Sequence, residues 1–181
     1  LTNEEIEQFE INGQGGDDSF TVGDLSGSDV QSVIFSGGEG NDFLNGSGTA
    51  TPITADGGDG DDILIGGTGD DILVGGNGAD LLIGGGGNDL LIGGEGADTF
   101  RLAVDDILTG DGIVTIQDFN VQEDRLQLSS LPQARLGSVS AMRESLTYNS
   151  RNGAISLDGV QIATLQNPVE GFDVSTHVEF V

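Results

Sequence analysis

The sequence predicts an all-β protein: a parallel β-roll, that is, a solenoid of stacked coils, closed by a C-terminal antiparallel β capping module. Three observations predict it. Between Gly57 and Arg101 one nine-residue phrase runs five times without a gap, as GGDGDDILI, GGTGDDILV, GGNGADLLI, GGGGNDLLI and GGEGADTFR. Each copy divides into six residues of turn chemistry, GGxGxD, and three of strand preference such as Ile63, Leu64 and Ile65. Beyond Ser130 glycine thins, arginines appear and apolar residues begin to alternate with polar ones.

Three residues are too few for an ordinary hairpin strand, but copies stacked in parallel build two long sheets joined at their edges by the glycine turns. Two nonapeptides make one coil of 18 residues, so alternate copies stack on the same side and each turn faces the turn two copies on. Position 8, held by Leu64, Leu73, Leu82, Leu91 and Phe100, is expected to fill the thin interior. Positions 7 and 9 then point outward, and in four copies they are apolar: Ile63 and Ile65, Ile72 and Val74, Leu81 and Ile83, Leu90 and Ile92.

Three regions follow in order. Residues 1–36 read as an N-terminal extension of the roll with one worn copy, GQGGDDSFT, at Gly13–Thr21. The chain opens without methionine inside a strand-forming stretch that includes Phe9 and Ile11, as expected of a segment of a longer protein. Residues 37–101 are the roll proper, beginning with a sixth copy, GGEGNDFLN, at Gly37–Asn45. An interruption, GSGTATPITAD at 46–56, is about one half-coil long and is expected as a bulge in the register.

Residues 102–181 form the expected cap. Ser145–Ser150, Ala154–Leu157 and Val160–Leu165 read as strands separated by Arg151-Asn152-Gly153 and Asp158-Gly159, both good hairpin signals, with a short helix at Ser138–Glu144. Such a sheet would cover an edge that otherwise invites aggregation.

Charge narrows the function. The chain has 181 residues and a net charge of −26. Residues 1–100 hold 20 acids and neither Lys nor Arg, whereas residues 101–181 hold 11 acids and five arginines, giving −20 and −6. The first half cannot neutralise itself and should repel itself until divalent cations arrive. With no basic patch, nucleic acid and anionic membrane surfaces are poor partners, and no run is long enough to span a membrane. There are no cysteines, so no disulfide staples the fold.

Catalysis finds no foothold. His177 is the only histidine, which excludes a HExxH zinc site, and it is expected at the surface. No GxSxG elbow occurs, and without lysine there is no P-loop. The pairs Asp61-Asp62 and Asp70-Asp71 have the composition of glycosidase carboxylates, but an active site is built once and these recur. An EF-hand is excluded because its glycine and distal glutamate are missing around Asp59–Asp62.

The repeated acid is the informative one. Aspartate stands at position 6 of every copy, while position 3 wanders through Glu39, Asp59, Thr68, Asn77, Gly86 and Glu95. A face kept acidic for solubility has no reason to be position-specific. The phrase fits GGxGxDxUx, with U a large apolar residue, and the segment closely resembles the RTX family of hemolysin-type calcium-binding nonapeptide repeats. Calcium takes six to eight hard oxygens and no single turn offers that many, so several Ca2+ ions are expected between coils.

The resemblance implies the ligands: carbonyls at positions 2 and 4 and the position-6 aspartate from one turn, carbonyls at positions 1 and 3 and the next aspartate from the turn it faces. Gly58, Gly60 and Asp62 would then work with Gly75, Asn77 and Asp80, and Gly67, Gly69 and Asp71 with Gly84, Gly86 and Asp89. Gly76, Gly78 and Asp80 would work with Gly93, Glu95 and Asp98, so that Asp80 serves two sites. Across the interruption, Gly38, Gly40 and Asp42 would work with Gly57, Asp59 and Asp62, and further back Asp18 would face Asp42. Residues 97–128 resemble the segment that follows the last RTX nonapeptide. Its first acid is missing here or displaced to Asp111, and Asp118 and Asp124 would lend oxygens to the open end of the roll.

RTX proteins are secreted, which implies an extracellular or cell-surface location, and Glu179-Phe180-Val181 is similar to the ending of their type I secretion signals. Three roles follow from the resemblance. The chain is expected to be a calcium-binding module that folds a secreted protein and bears its export signal. The alternatives are a structural or adhesive block of an extracellular matrix or surface layer, or the non-catalytic tail of a secreted hydrolase, lyase or epimerase. The outward apolar ladders are the expected route to self-association or matrix partners.

Overall fold

The computed structural model describes residues 7–103, 112–129, 143–167 and 169–181. Strands β1 (Gln8–Gly15), β3 (Ser32–Glu39), β5 (Ile53–Asp59), β7 (Ile72–Asn77), β9 (Leu90–Glu95) and β11 (Val114–Ile116) lie parallel in one sheet. Strands β2 (Ser19–Thr21), β4 (Phe43–Asn45), β6 (Ile63–Ile65), β8 (Leu81–Ile83), β10 (Thr99–Ala103) and β12 (Arg125–Ser129) lie parallel in the other. A three-residue strand is too short to be stable by itself. Stacked as rungs, such strands share ladder hydrogen bonds on both sides and a continuous apolar interior.

The register keeps count of the insertions. Ile72 pairs with Leu90 and Thr54 with Ile72, a spacing of 18, while Val33 pairs with Ile53 at 20 and Gln8 with Ser32 at 24. The interruption at 46–56 is therefore a turn followed by strand β5, and it costs two residues of register. Its turn is held locally: Thr49 N–H donates to the Gly46 carbonyl at 3.0 Å, and buried Thr49 accepts the Thr51 N–H on its Oγ1 at 3.0 Å.

Pairing of Thr115 with Leu90 and Ile116 with Leu91 sets Val114 one coil beyond Asp89. Gly112 sits against the Gly87 carbonyl with φ of +127°. Residues 112–116 are thus a further worn half-coil whose aspartate has become valine.

Two columns of side chains face one another between the sheets. Ile11, Phe35, Ala55, Leu73, Leu91 and Ile116 descend one sheet. Phe20, Leu44, Leu64, Leu82, Phe100 and Leu126 descend the other. Position 8 is interior as predicted: Leu64, Leu73, Leu82, Leu91 and Phe100 are all 0% exposed, whereas outward Ile63 and Ile72 are 38% and 41% exposed. Leu82→Ala, which opens a cavity in a one-side-chain-thick core, should cost about 2–5 kcal/mol in calcium-loaded thermal unfolding. Ile63→Ala should cost a small fraction of that.

The C-terminal residues extend both sheets. Strands β13 (Leu146–Asn149), β14 (Ala154–Leu157) and β15 (Val160–Leu165) form an antiparallel meander. Asp158 and Gly159, with φ of 51° and 79°, make its two-residue turn. β15 then joins the roll by parallel pairing with β11, so the cap continues the first sheet. β16 (Val178–Phe180) pairs in parallel with β12 and ends the second. On its outer face Arg101 donates to Gln127, and Gln127 to Glu179.

Phe100, Phe119, Phe172 and Tyr148 form a chain of ring contacts under the cap, with centroids 5.9, 5.4 and 4.8 Å apart. His177 is partly exposed and stacks on Phe172 at 5.4 Å, where the short helix Val174–His177 places it. Of the helix expected at 138–144, residues 138–142 lie outside the described residues, and a single helical turn covers 143–145. Asp111 also lies outside them. Among the described residues no helix is long and apolar enough to cross a membrane.

Candidate metal centres

Each turn from the first sheet to the second carries an aspartate that curls back under its own turn. Asp80 shows the pattern. Its Oδ1 accepts the backbone N–H of Asp62, one coil earlier, at 2.8 Å, and its own N–H donates to Asp98 Oδ1 at 3.0 Å. The same ladder links Asp18 to Asp42 at 2.8 Å, Asp42 to Asp62 at 2.6 Å and Asp98 to Asp124 at 3.0 Å. On the opposite edge, among the described residues, it links Ile53 to Asp71 at 2.7 Å and Asp71 to Asp89 at 3.0 Å. The spacing of 20 across the interruption and the facing of Asp18 by Asp42 are both present.

The second carboxylate oxygen is the telling atom. Oδ2 of Asp18, Asp42, Asp62, Asp80 and Asp89 is buried without a hydrogen-bond partner. A buried anionic oxygen left unpaired is costly, so each marks a place made for a positive charge.

What surrounds that oxygen explains the first glycine of the phrase. A Cβ at Gly75 would collide with Asp80 Oδ2 and lie 2.6 Å from the Gly93 carbonyl oxygen of the next coil. The two oxygens converge where a side chain would otherwise be. The same convergence brings Asp18 to Gly37, Asp42 to Gly57, Asp62 to Gly75, and on the other edge Asp71 to Gly84.

Positions 2 and 4 are glycine for a different reason. Gly76 and Gly78 have φ of +116° and +139°, and a Cβ on either would overlap the Gly58 or Gly60 carbonyl oxygen. Those carbonyls, expected as ligands, therefore lie in the gap between coils, as do the Gly38, Gly40, Gly67, Gly69, Gly76 and Gly78 carbonyls. At position 3 the carbonyls of Asp59, Asn77 and Glu95 each accept one N–H, from Gly40, Gly60 and Gly78, all at 2.8 Å. Each keeps a second lone pair. At Gly86 the roles change, and its N–H donates to the Gly67 carbonyl at 3.1 Å.

The two edges are unequal. Gly67 and Gly69 lack the positive φ of Gly85 and Gly87, because the turn facing them is the 46–52 insertion, whose Thr49 and Ala50 carbonyls press against them. In this turn Asp71 Oδ2 is taken by the Gly67 N–H at 2.6 Å, and Ile53 occupies the place where the facing acid would stand.

At the far end, Asp118 accepts the N–H groups of Gly93 and Gly94, both at 2.9 Å. Asp124 accepts those of Asp98 at 3.0 Å and Asn120 at 2.7 Å. Both carboxylates cap backbone amides.

Burial raises the aspartate pKa values, partly offset by the amide each accepts. Asp62 and Asp98 are pushed up to about 6, and Asp80 and Asp89 to about 7. Asp71 and Asp124 are raised for the same reason. Neighbouring carboxylates add to the rise at each of them. Among the described residues no three acidic or histidine side chains form a metal-holding group, so each gap supplies two carboxylates at most and must complete its shell with carbonyls.

Position 5, which the repeat template leaves free, carries a second ladder. Asp17 Oδ1 accepts the Asn41 N–H, Asn41 Oδ1 the Asp61 N–H, and Asp61 Oδ1 the Ala79 N–H, each at 2.8 Å. Asp70 does the same for Asn88 at 2.7 Å. Position-6 side chains reach back one coil and position-5 side chains reach forward, so each gap is clamped from both sides. The signal was a short polar residue at position 5 in five of seven copies. The pairs Asp61-Asp62 and Asp70-Asp71 are thereby divided between an outer clamp and an inner oxygen.

A family model, RTX calcium-binding nonapeptide repeat (4 copies), matches residues 34–49, 56–91 and 65–100. No curated protein matches the chain in sequence. Among solved structures the chain is similar to the solution structure of the AlgE6R3 subunit from the Azotobacter vinelandii mannuronan C5-epimerase. That match is 20% identical, covers 99% of this chain and 86% of the other, and has a TM-score of 0.32. The repeated phrase, the stacked coils and the matched model agree: between residues 34 and 100 the chain carries an array of RTX calcium-binding nonapeptide repeats.

Proposed function

We propose that the chain is an extracellular module folded by calcium. The observation that carries this is the row of buried, unpartnered Oδ2 atoms, four of which, on Asp18, Asp42, Asp62 and Asp80, lie beside a carbonyl of the next coil. The gaps Asp18/Asp42, Asp42/Asp62, Asp62/Asp80 and Asp80/Asp98 would hold one ion each, and Asp71/Asp89 a fifth on the other edge. Asp118 and Asp124 close the end of the ladder by capping amides. A bound divalent cation supplies the positive charge that the oxygens need and cross-links consecutive coils. In a low-calcium cytosol the chain would stay extended, and in millimolar extracellular calcium it would lock.

Equilibrium dialysis with atomic absorption tests this: about five calcium ions per chain are expected, with magnesium in excess failing to displace them. No bound calcium, or equal binding of magnesium, would overturn the reading.

The final residues Glu179-Phe180-Val181 are assigned as an export signal, on their sequence and on their place after a nonapeptide array. Removing them should abolish type I export of the full chain; undiminished export refutes the assignment. Exposed Ile63 and Ile72 favour a second reading, an assembling matrix or surface-layer block. Sedimentation in calcium decides it, since a strict monomer at high concentration leaves no assembly to explain.

A further inference from the structure

Within the roll every coil-to-coil contact repeats the same parts: parallel pairing in both sheets, apolar columns in contact, and an N–H given to the next aspartate's Oδ1. The first coil presents one half of that contact, and nothing covers it among the described residues. β1 and β2 are the terminal strands of their sheets. Phe9 is 51% exposed, although Val33 and Ile53 in the same column are 0% and 1% exposed. Ile11 and Phe20 are half-buried where Phe35 and Leu44, the next rungs, are 1% and 0% exposed.

Phe9, Ile11, Phe20, Val22, Leu25 and Val30 line a depression of about 670 Å³ there. Asp18 directs its Oδ2 at the Gly37 carbonyl of the next coil, within the Asp18/Asp42 gap. Its Oδ1, the atom that accepts an N–H in Asp42, Asp62 and Asp80, receives none from the described residues.

The geometry points to an acceptor face for one further nonapeptide coil, stacked in the same parallel register, bridged by calcium, and joined in series through the residues that lead into Glu7. A second copy of the chain fits worse. Its other end is closed by β13 to β15 and by β16, and two N-terminal faces would meet with their strands antiparallel. The inference rests on the calcium reading above.

The test fuses a copy of residues 66–83, GGTGDDILVGGNGADLLI, ahead of Leu1 of the full chain, so that the added coil ends on a strand of the second sheet. Fused and unfused chains are compared for bound calcium and thermal midpoint, with Asp80→Asn in the added copy as the control. One more calcium per chain and a higher midpoint are expected, both lost in the control. An unchanged count and midpoint in a chain that binds calcium overturns the docking face and leaves the calcium reading intact. So does a calcium-dependent dimer of the unfused chain that persists after fusion, which would hand the face to a second copy. Absence of calcium from both chains overturns the two readings together.

Discussion

Asp80→Asn should cost the folded chain two calcium ions, whereas Asp89→Asn should cost one. Asp80 stands between two of the proposed calcium gaps, giving its N–H to Asp98 and accepting that of Asp62. Asp89 closes a single gap with Asp71, and Val114 faces it on the other side. Asparagine keeps an Oδ1 to accept the Asp62 N–H, so the substitution removes charge and little else. At a calcium concentration about a hundred-fold above Kd each site contributes about 2.7 kcal/mol. Losing two would remove roughly 5 kcal/mol, comparable to the whole stability of a small domain. Ion counting by atomic absorption, with thermal unfolding in calcium, reads both. Equal losses from the two variants would refute the stacking arithmetic.

The second large effect is that of pH on the metal-free chain. Folding raises Asp62, Asp80, Asp89 and Asp98 from the ordinary carboxylate range to about 6 or 7, chiefly by burial. Below about pH 4 these groups are protonated in both states and the fold carries no penalty. As pH rises through the folded-state values, the unfolded chain ionises freely while the fold resists, so stability is lost between about pH 4 and 7. The sign is opposite to that of a salt-bridged aspartate.

In chelator, the strand signal in circular dichroism should therefore grow as pH falls from 8 to 5. In the presence of calcium the dependence reverses. Protons compete for the same oxygens, and the calcium midpoint should rise severalfold between pH 8 and 5.5 with proton release on binding. A midpoint independent of pH would mean that the ions do not meet these carboxylates.

Much of this was legible in the residues, and the reason is periodicity. A nine-residue period fixes which side chains stack, so the interior leucines, the outward isoleucines and the facing of Asp62 by Asp80 follow from counting. Asp42 against Asp62 also follows, because two extra residues do not invert a strand whose side chains alternate with period two.

What the sequence concealed lies where counting fails. The worn half-coil at 112–116 hides because valine has replaced its aspartate, and only its register with Leu90 and Leu91 reveals it. The altered Asp71 turn depends on what the insertion presses against it across 18 residues, which no local pattern encodes. The position-5 clamps were easy to miss because Asp, Asn and Ala share that position, and a backbone amide donates equally to the side-chain oxygen of either polar residue. Long-range pairings such as Val114 with Ala163 and Leu126 with Val178 are set by which sheet edges are left open, information that resides in the assembled roll.

The central claim is that calcium holds the coils together against a charge of −26. A calcium titration at pH 7.5 followed by circular dichroism, starting from chelator and repeated with magnesium, tests it most directly. A disordered spectrum in chelator, a cooperative appearance of strand signal with calcium and little response to magnesium are predicted. A chain whose strand signal is the same in chelator as in calcium would contradict the account.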